Sequence, residues 1–280
     1  MRLAIEPLAV ALALLPAARA AAEASHHQGA SPSQIGTAQI EGLARERPSA
    51  WYVRPFASLL TASEKFGGSG ARGDLAAGGR VTNVGLNLLA EVRLGEAWAV
   101  SAVTGGQRLV FASSAGSETV TSLGDGFASG RFAQPLGWGS LAAIVTGKIP
   151  GTYPESEATG AKQVDIEGKL ALAVARLGTR RLAAVVGIGH KVRLGAIEDE
   201  VTPSALLLGR LHERLTATAL VGGGVAVGLG ATPKDSLAAG AGLAWRAAPS
   251  VELGGNYAHT IFGHNVVDAH IATLGVGLSL

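Results

Sequence analysis

Thirteen charged side chains recur at strand spacing within aliphatic runs, and they are the residues best placed to act on a solute: Glu91, Arg93, Arg131, Lys148, Asp165, Glu167, Lys169, Arg181, Lys191, Arg193, Arg210, Arg246 and Glu252. Residues 163–174 show the pattern most cleanly. Gln163, Asp165, Glu167 and Lys169 fall on one side of an extended chain, and Val164, Ile166, Leu170, Leu172 and Val174 on the other. Charges lining one face of a strand select ions instead of breaking bonds, because rings of charge set the selectivity of a pore. Cations outnumber carboxylates in the set, so an anion preference is expected. The same residues could instead form ion pairs that fill and stiffen a closed interior.

A second group is histidine. His259 and His270 flank His264 near the end of the chain. If residues 263–266 form a hairpin loop, His259 faces His270 directly on the outward side. Two imidazoles across a hairpin could hold a metal ion, touch lipopolysaccharide phosphates, or supply the base of a lipid hydrolase. A hydrolase also needs a nucleophile within hydrogen-bond reach, and Ser204 and Ser236 begin strands elsewhere. The expectation is therefore a polar girdle with no metal, no cofactor and no enzymatic activity. His26-His27 reads as incidental.

The elements that must position these residues follow from the rest of the chain. It has 280 residues, 48% hydrophobic and 16% charged, with 40 glycines and no cysteine. Arg2, the apolar run Leu8 to Leu15 and Ala18-Arg19-Ala20 together read as a cleaved secretory signal over residues 1–20. Export without cysteine leaves disulfides out of the stability argument. The glycines lack the Gly-Lys-Ser/Thr context of a phosphate loop, and a near-neutral net charge gives no footprint for nucleic acid. Residues 21–48 are polar and turn-rich, a periplasmic segment or plug, too short for an autotransporter passenger.

From residue 49 to 280 the spacing predicts an all-β, antiparallel, up-and-down transmembrane barrel of about twelve strands: 50–65, 80–93, 97–111, 124–134, 139–149, 163–176, 181–193, 203–212, 215–228, 236–247, 250–261 and 267–280. Short connections at residues 94–96, 135–138, 177–180, 213–214 and 248–249 alternate with longer ones at 67–79, 113–123, 150–162, 194–202, 229–235 and 263–266. Outer-membrane barrels have this asymmetry, with short periplasmic turns, long external loops and an even strand count. Trp51, Trp98, Trp138 and Trp245 mark the short-turn side as an inner aromatic girdle, with Tyr257, Phe111 and Phe262 as the outer one. Helical spans are disfavoured. The uncharged run Leu215 to Pro233 contains Gly222-Gly223-Gly224, and each interior glycine costs a helix about 1 kcal/mol.

The chain resembles Gram-negative outer-membrane barrels, and more narrowly is similar to the outer-membrane transporters grouped with aromatic-compound degradation. The carrying features are Ser63-Glu64-Lys65-Phe66 before a glycine-rich loop, and the unit from Gly124-Asp125-Gly126-Phe127 to Lys148-Ile149-Pro150-Gly151. It departs from them in ending at Leu280 instead of an aromatic residue, and no site residue carries over. The expected protein is an outer-membrane channel or passive transporter for small solutes. Its partners would be outer-membrane lipids, lipopolysaccharide and, during biogenesis, the barrel-assembly machinery. The alternative is a non-conducting structural or interaction barrel.

Overall fold

The structure is a computed structural model that describes residues 50–75, 78–152, 164–177, 182–194, 199–227 and 235–280. The expected leader, the segment 21–48 with His26 and His27, and Arg181 lie outside these residues. Fourteen strands are present among the described residues: β1 (Trp51–Phe66), β2 (Arg72–Asp74), β3 (Arg80–Leu94), β4 (Trp98–Ser113), β5 (Gly116–Leu123), β6 (Gly126–Leu136), β7 (Gly139–Ile149), β8 (Asp165–Leu177), β9 (Leu182–Arg193), β10 (Asp199–His212), β11 (Leu215–Val227), β12 (Asp235–Ala248), β13 (Val251–His264) and β14 (Val266–Ser279). Every pairing is antiparallel. β14 returns to β1, so the sheet closes. β2 and β5 are short additions that pair with the ends of β1 and β4 beyond the closed wall. The remaining twelve strands form the barrel, the number the sequence predicts. Closure leaves no edge of the twelve described wall strands unpaired, as a sheet standing in hydrocarbon requires.

Side-chain alternation decides which face is which. Along β3, Val81, Gly85, Leu89 and Glu91 are buried, while Val84, Leu86 and Leu88 are exposed. Leu86 and Leu274 are each 70% exposed and Leu170 is 59% exposed. Aliphatic surface of this extent, continued around the barrel wall, far exceeds the apolar patch that a soluble monomer tolerates. It makes sense as a lipid-facing belt. Trp51, Trp98, Trp138 and Trp245 are exposed at the short-turn end, where Trp98 packs on Phe132 with ring centroids 5.0 Å apart. Tyr257 and Phe262 are exposed toward the opposite end.

Four expectations are corrected. Residues 113–123 are not a plain loop: Gly116–Leu123 forms β5, paired with β4 from Ser113 back to Gly106. The 67–79 connection contains β2 and tucks Leu75, only 1% exposed, into the barrel. Phe111 belongs to no outer girdle. It shares the inward parity of Leu109 and packs with Leu60, Leu75, Val81 and Val267 inside the mouth. Finally, residues 263–266 are almost all strand. The turn is Asn265 alone, with φ of 54°, a left-handed conformation that Asn tolerates better than most residues.

Candidate functional site

Register sets one row of inward residues against the next. Following the pairs around the wall gives Tyr52, Glu91, Ser101, Ser129, Thr146, Glu167, Lys191 and Glu200 on eight successive strands. The row is therefore a nearly continuous polar band, and its members bond sideways. Ser129 and Thr146 hydroxyls lie 3.0 Å apart. The Thr202 hydroxyl donates to Glu167, and Lys191 forms a close ion pair with Glu200. Arg193 reaches the same Glu200 oxygen at 2.7 Å. Lys169 Nζ sits 3.4 Å from Glu167, and Lys148 Nζ sits 3.1 Å from Asp165 and 3.7 Å from Asp125.

Two glycines make room for this charge. A Cβ on Gly189 would stand 2.5 Å from the Thr202 hydroxyl and 2.7 Å from the Glu167 carboxylate, and one on Gly224 would overlap the Glu200 carboxylate. The missing side chains leave room for the Glu167, Thr202 and Glu200 groups on the inner face. Arg54 lies against Gly254 and Gly275 and donates to the Gly254 carbonyl at 3.3 Å.

Apolar panels border the band. Below it, on β7–β10, Ile144, Ala171, Ala173, Val185, Leu206 and Leu208 pack together. Tyr52, Leu89, Val103 and Phe127 form a second panel across β1 to β6. The third is the Leu75–Phe111 cluster at the loop end of β14, β1, β3 and β4. The inner wall is thus amphipathic, with charge concentrated on the β6–β10 side.

Of the residues expected to line the interior, Glu91, Arg131, Lys148, Asp165, Glu167, Lys169 and Lys191 are buried on the inner face. Arg93 and Arg193 are half-buried there, Arg93 3.9 Å from Glu91. Arg210 and Arg246 keep inward parity but are exposed at the short-turn rim, Arg246 opposite Glu252 in register. Arg54, Asp125, Glu200 and Thr202 join them without having been expected. Residues 194–202 are expected as one of the long connections, yet β10 begins at Asp199. The parity of Lys191 and Arg193 was the available signal, since both needed a carboxylate on the next strand.

The second cluster lies on the outer face. His259 and His270 are register partners, as expected, with rings stacked at 4.1 Å and 7°. His264 does not join them; it hydrogen-bonds Asp235 at 2.6 Å. Asp268 takes its place. One Asp268 oxygen lies 2.5 Å from His259 Nε2, and the other lies 3.2 Å from Arg72. The Tyr257 hydroxyl is 2.7 Å from His270 Nδ1. Ser204 and Ser236 share the inward parity of their strands, away from this outer-face pair.

No protein-family model matches the chain, and neither does any curated protein. Solved structures do. The chain is similar to an outer-membrane channel from Pseudomonas putida, with a TM-score of 0.66 at 12% identity over 84% of this chain and 97% of that one. The translocator domain of the autotransporter NalP from Neisseria meningitidis gives a TM-score of 0.57 at 13% identity, over 89% and 96%. The KdgM porin, solved in complex with disordered oligogalacturonate, gives 0.53 at 8% identity, over 82% and 99%. At such identities the likeness is one of fold: a closed antiparallel barrel of the outer-membrane type.

Proposed function

We propose that the protein is an outer-membrane channel for the passive passage of small amphipathic solutes, with organic anions favoured. The observation that carries this reading is the inner wall: a polar band over eight successive strands, bordered by apolar panels, inside a barrel whose outer surface is aliphatic. The resemblance to transporters grouped with aromatic-compound degradation supports the apolar half of the solute, and the cationic excess along the wall supports the anionic half. The pairing of Lys148, Lys169 and Lys191 with carboxylates keeps the anion preference weak. Lipid and lipopolysaccharide would contact the aliphatic belt and its aromatic rims.

The test is reconstitution of the full chain in planar bilayers and liposomes. Stepwise conductance with a weak anion preference, and faster liposome swelling with benzoate than with a sugar of similar size, are the expected results. A barrel that inserts and folds but passes neither ions nor either solute would overturn the channel reading in favour of a structural barrel.

A further inference from the structure

We propose that His259, Asp268 and His270 form a binding site for a late first-row divalent cation, Zn²⁺ or Cu²⁺, on the outer rim of the β13–β14 hairpin. The three donor atoms lie within 4.8 Å of one another. Two imidazoles and one carboxylate suit zinc and copper, whereas calcium and magnesium ask for oxygen ligands throughout. Zinc bonds of about 2.0 Å in a tetrahedral shell place neighbouring donors roughly 3.3 Å apart. The His259 Nε2 to Asp268 Oδ1 separation is 2.5 Å. Small side-chain rotations would therefore let a cation replace the proton shared by that pair and draw in the adjacent imidazole. The stacked rings of His259 and His270 already sit side by side.

The surroundings are arranged as a supporting layer for such an ion. Tyr257 holds His270 Nδ1 at 2.7 Å, which leaves Nε2 as the metal-binding nitrogen and fixes the ring. Arg72 holds the second Asp268 oxygen at 3.2 Å, so the carboxylate offers the ion a single atom. Asp268 is buried, while His270 is exposed, which gives an ion access from outside. Three protein donors leave a fourth position for water. The site would tie β13 to β14 next to the β1 seam and, through Arg72, fasten β2. It does not depend on whether the lumen conducts.

The test is Cu²⁺ and Zn²⁺ titration of the full-length protein in detergent after chelator treatment, read by calorimetry and, for Cu²⁺, by paramagnetic resonance. One ion per barrel is expected, with the copper signal split by imidazole nitrogens. Asp268→Asn and His270→Ala should each weaken binding at least tenfold. Tyr257→Phe, which keeps all three donors, should weaken it about tenfold or more, as loss of a ligand's outer partner does. His264→Ala and a His26→Ala/His27→Ala variant should bind like the parent. Heat-modifiable migration on gels establishes that each variant is folded. No uptake at millimolar ion, or an ion held as tightly by folded Asp268→Asn and Tyr257→Phe as by the parent, overturns the site.

Discussion

Glu200 offers the sharpest test of the inner wall, because Lys191 and Arg193 both lean on it. Two cations against one carboxylate leave this cluster one positive charge in excess. Glu200→Gln raises that excess by one unit, and Lys191→Met lowers it by one. For a permeant ion passing about 6 Å away through water, one unit of charge is worth about 0.7 kcal/mol. Salt near 0.1 M, with a screening length of about 10 Å, reduces this to about 0.4 kcal/mol. Anion and cation feel it with opposite sign, so their ratio moves by about 0.8 kcal/mol, or roughly fourfold. The assay is the reversal potential across a bilayer in a chloride gradient. Glu200→Gln should make the channel about fourfold more anion-selective, Lys191→Met about fourfold less, and the double variant should return to the parent value. Shifts of the same sign, or none in a conducting barrel, would refute the placement of this band along the conduction path.

Other substitutions probe the remaining surfaces. Leu86→Arg places a charge near the middle of the lipid-facing belt and should cost about 2–4 kcal/mol in urea-refolding measurements with liposomes; a loss below about 0.5 kcal/mol would contradict the lipid-facing assignment. Gly189→Val drives a side chain into Thr202 and Glu167 and should cost about 1–3 kcal/mol by overpacking, whereas Gly130→Ala, which meets nothing within 4 Å, should be close to neutral in the same refolding assay. Leu75→Ala removes the side chain that the β2–β3 connection buries in the mouth. It should destabilise by about 2–3 kcal/mol and raise single-channel conductance.

The barrel was legible because one physical rule governs it. A strand standing between lipid and an enclosed interior must alternate, and each inward or outward residue of β3, β8 and β9 can be read from its neighbours. Short and long connections then gave the strand count and orientation. What alternation could not show was extra pairing beyond the wall. β2 and β5 carry exposed polar residues on both faces, so nothing in their pattern separates a hairpin extension from a loop. Phe111 failed for another reason. Aromatic identity points to a girdle, whereas parity with Leu109 places the side chain inside.

The charged groups were legible one at a time, but their partners were not, because a partner comes from register and register depends on where neighbouring strands begin. Moving the start of β10 from residue 203 to Asp199 brings in Glu200 and Thr202, and with them the carboxylate that joins Lys191 to Arg193 and the hydroxyl that holds Glu167. A wall expected to carry more cations than carboxylates thereby becomes a set of shared charges, and selectivity becomes a small difference between large numbers. The outer face shows the same dependence. His259 and His270 could be paired by counting across the hairpin. Asp268, though, sits beside an irregularity between Ala62 and Glu64 on the adjoining β1 strand. It meets Arg72 only because the preceding connection folds back as β2. Chemistry on either face of this barrel is therefore set by pairs of strands, and variants at strand partners should perturb it more informatively than variants at single positions.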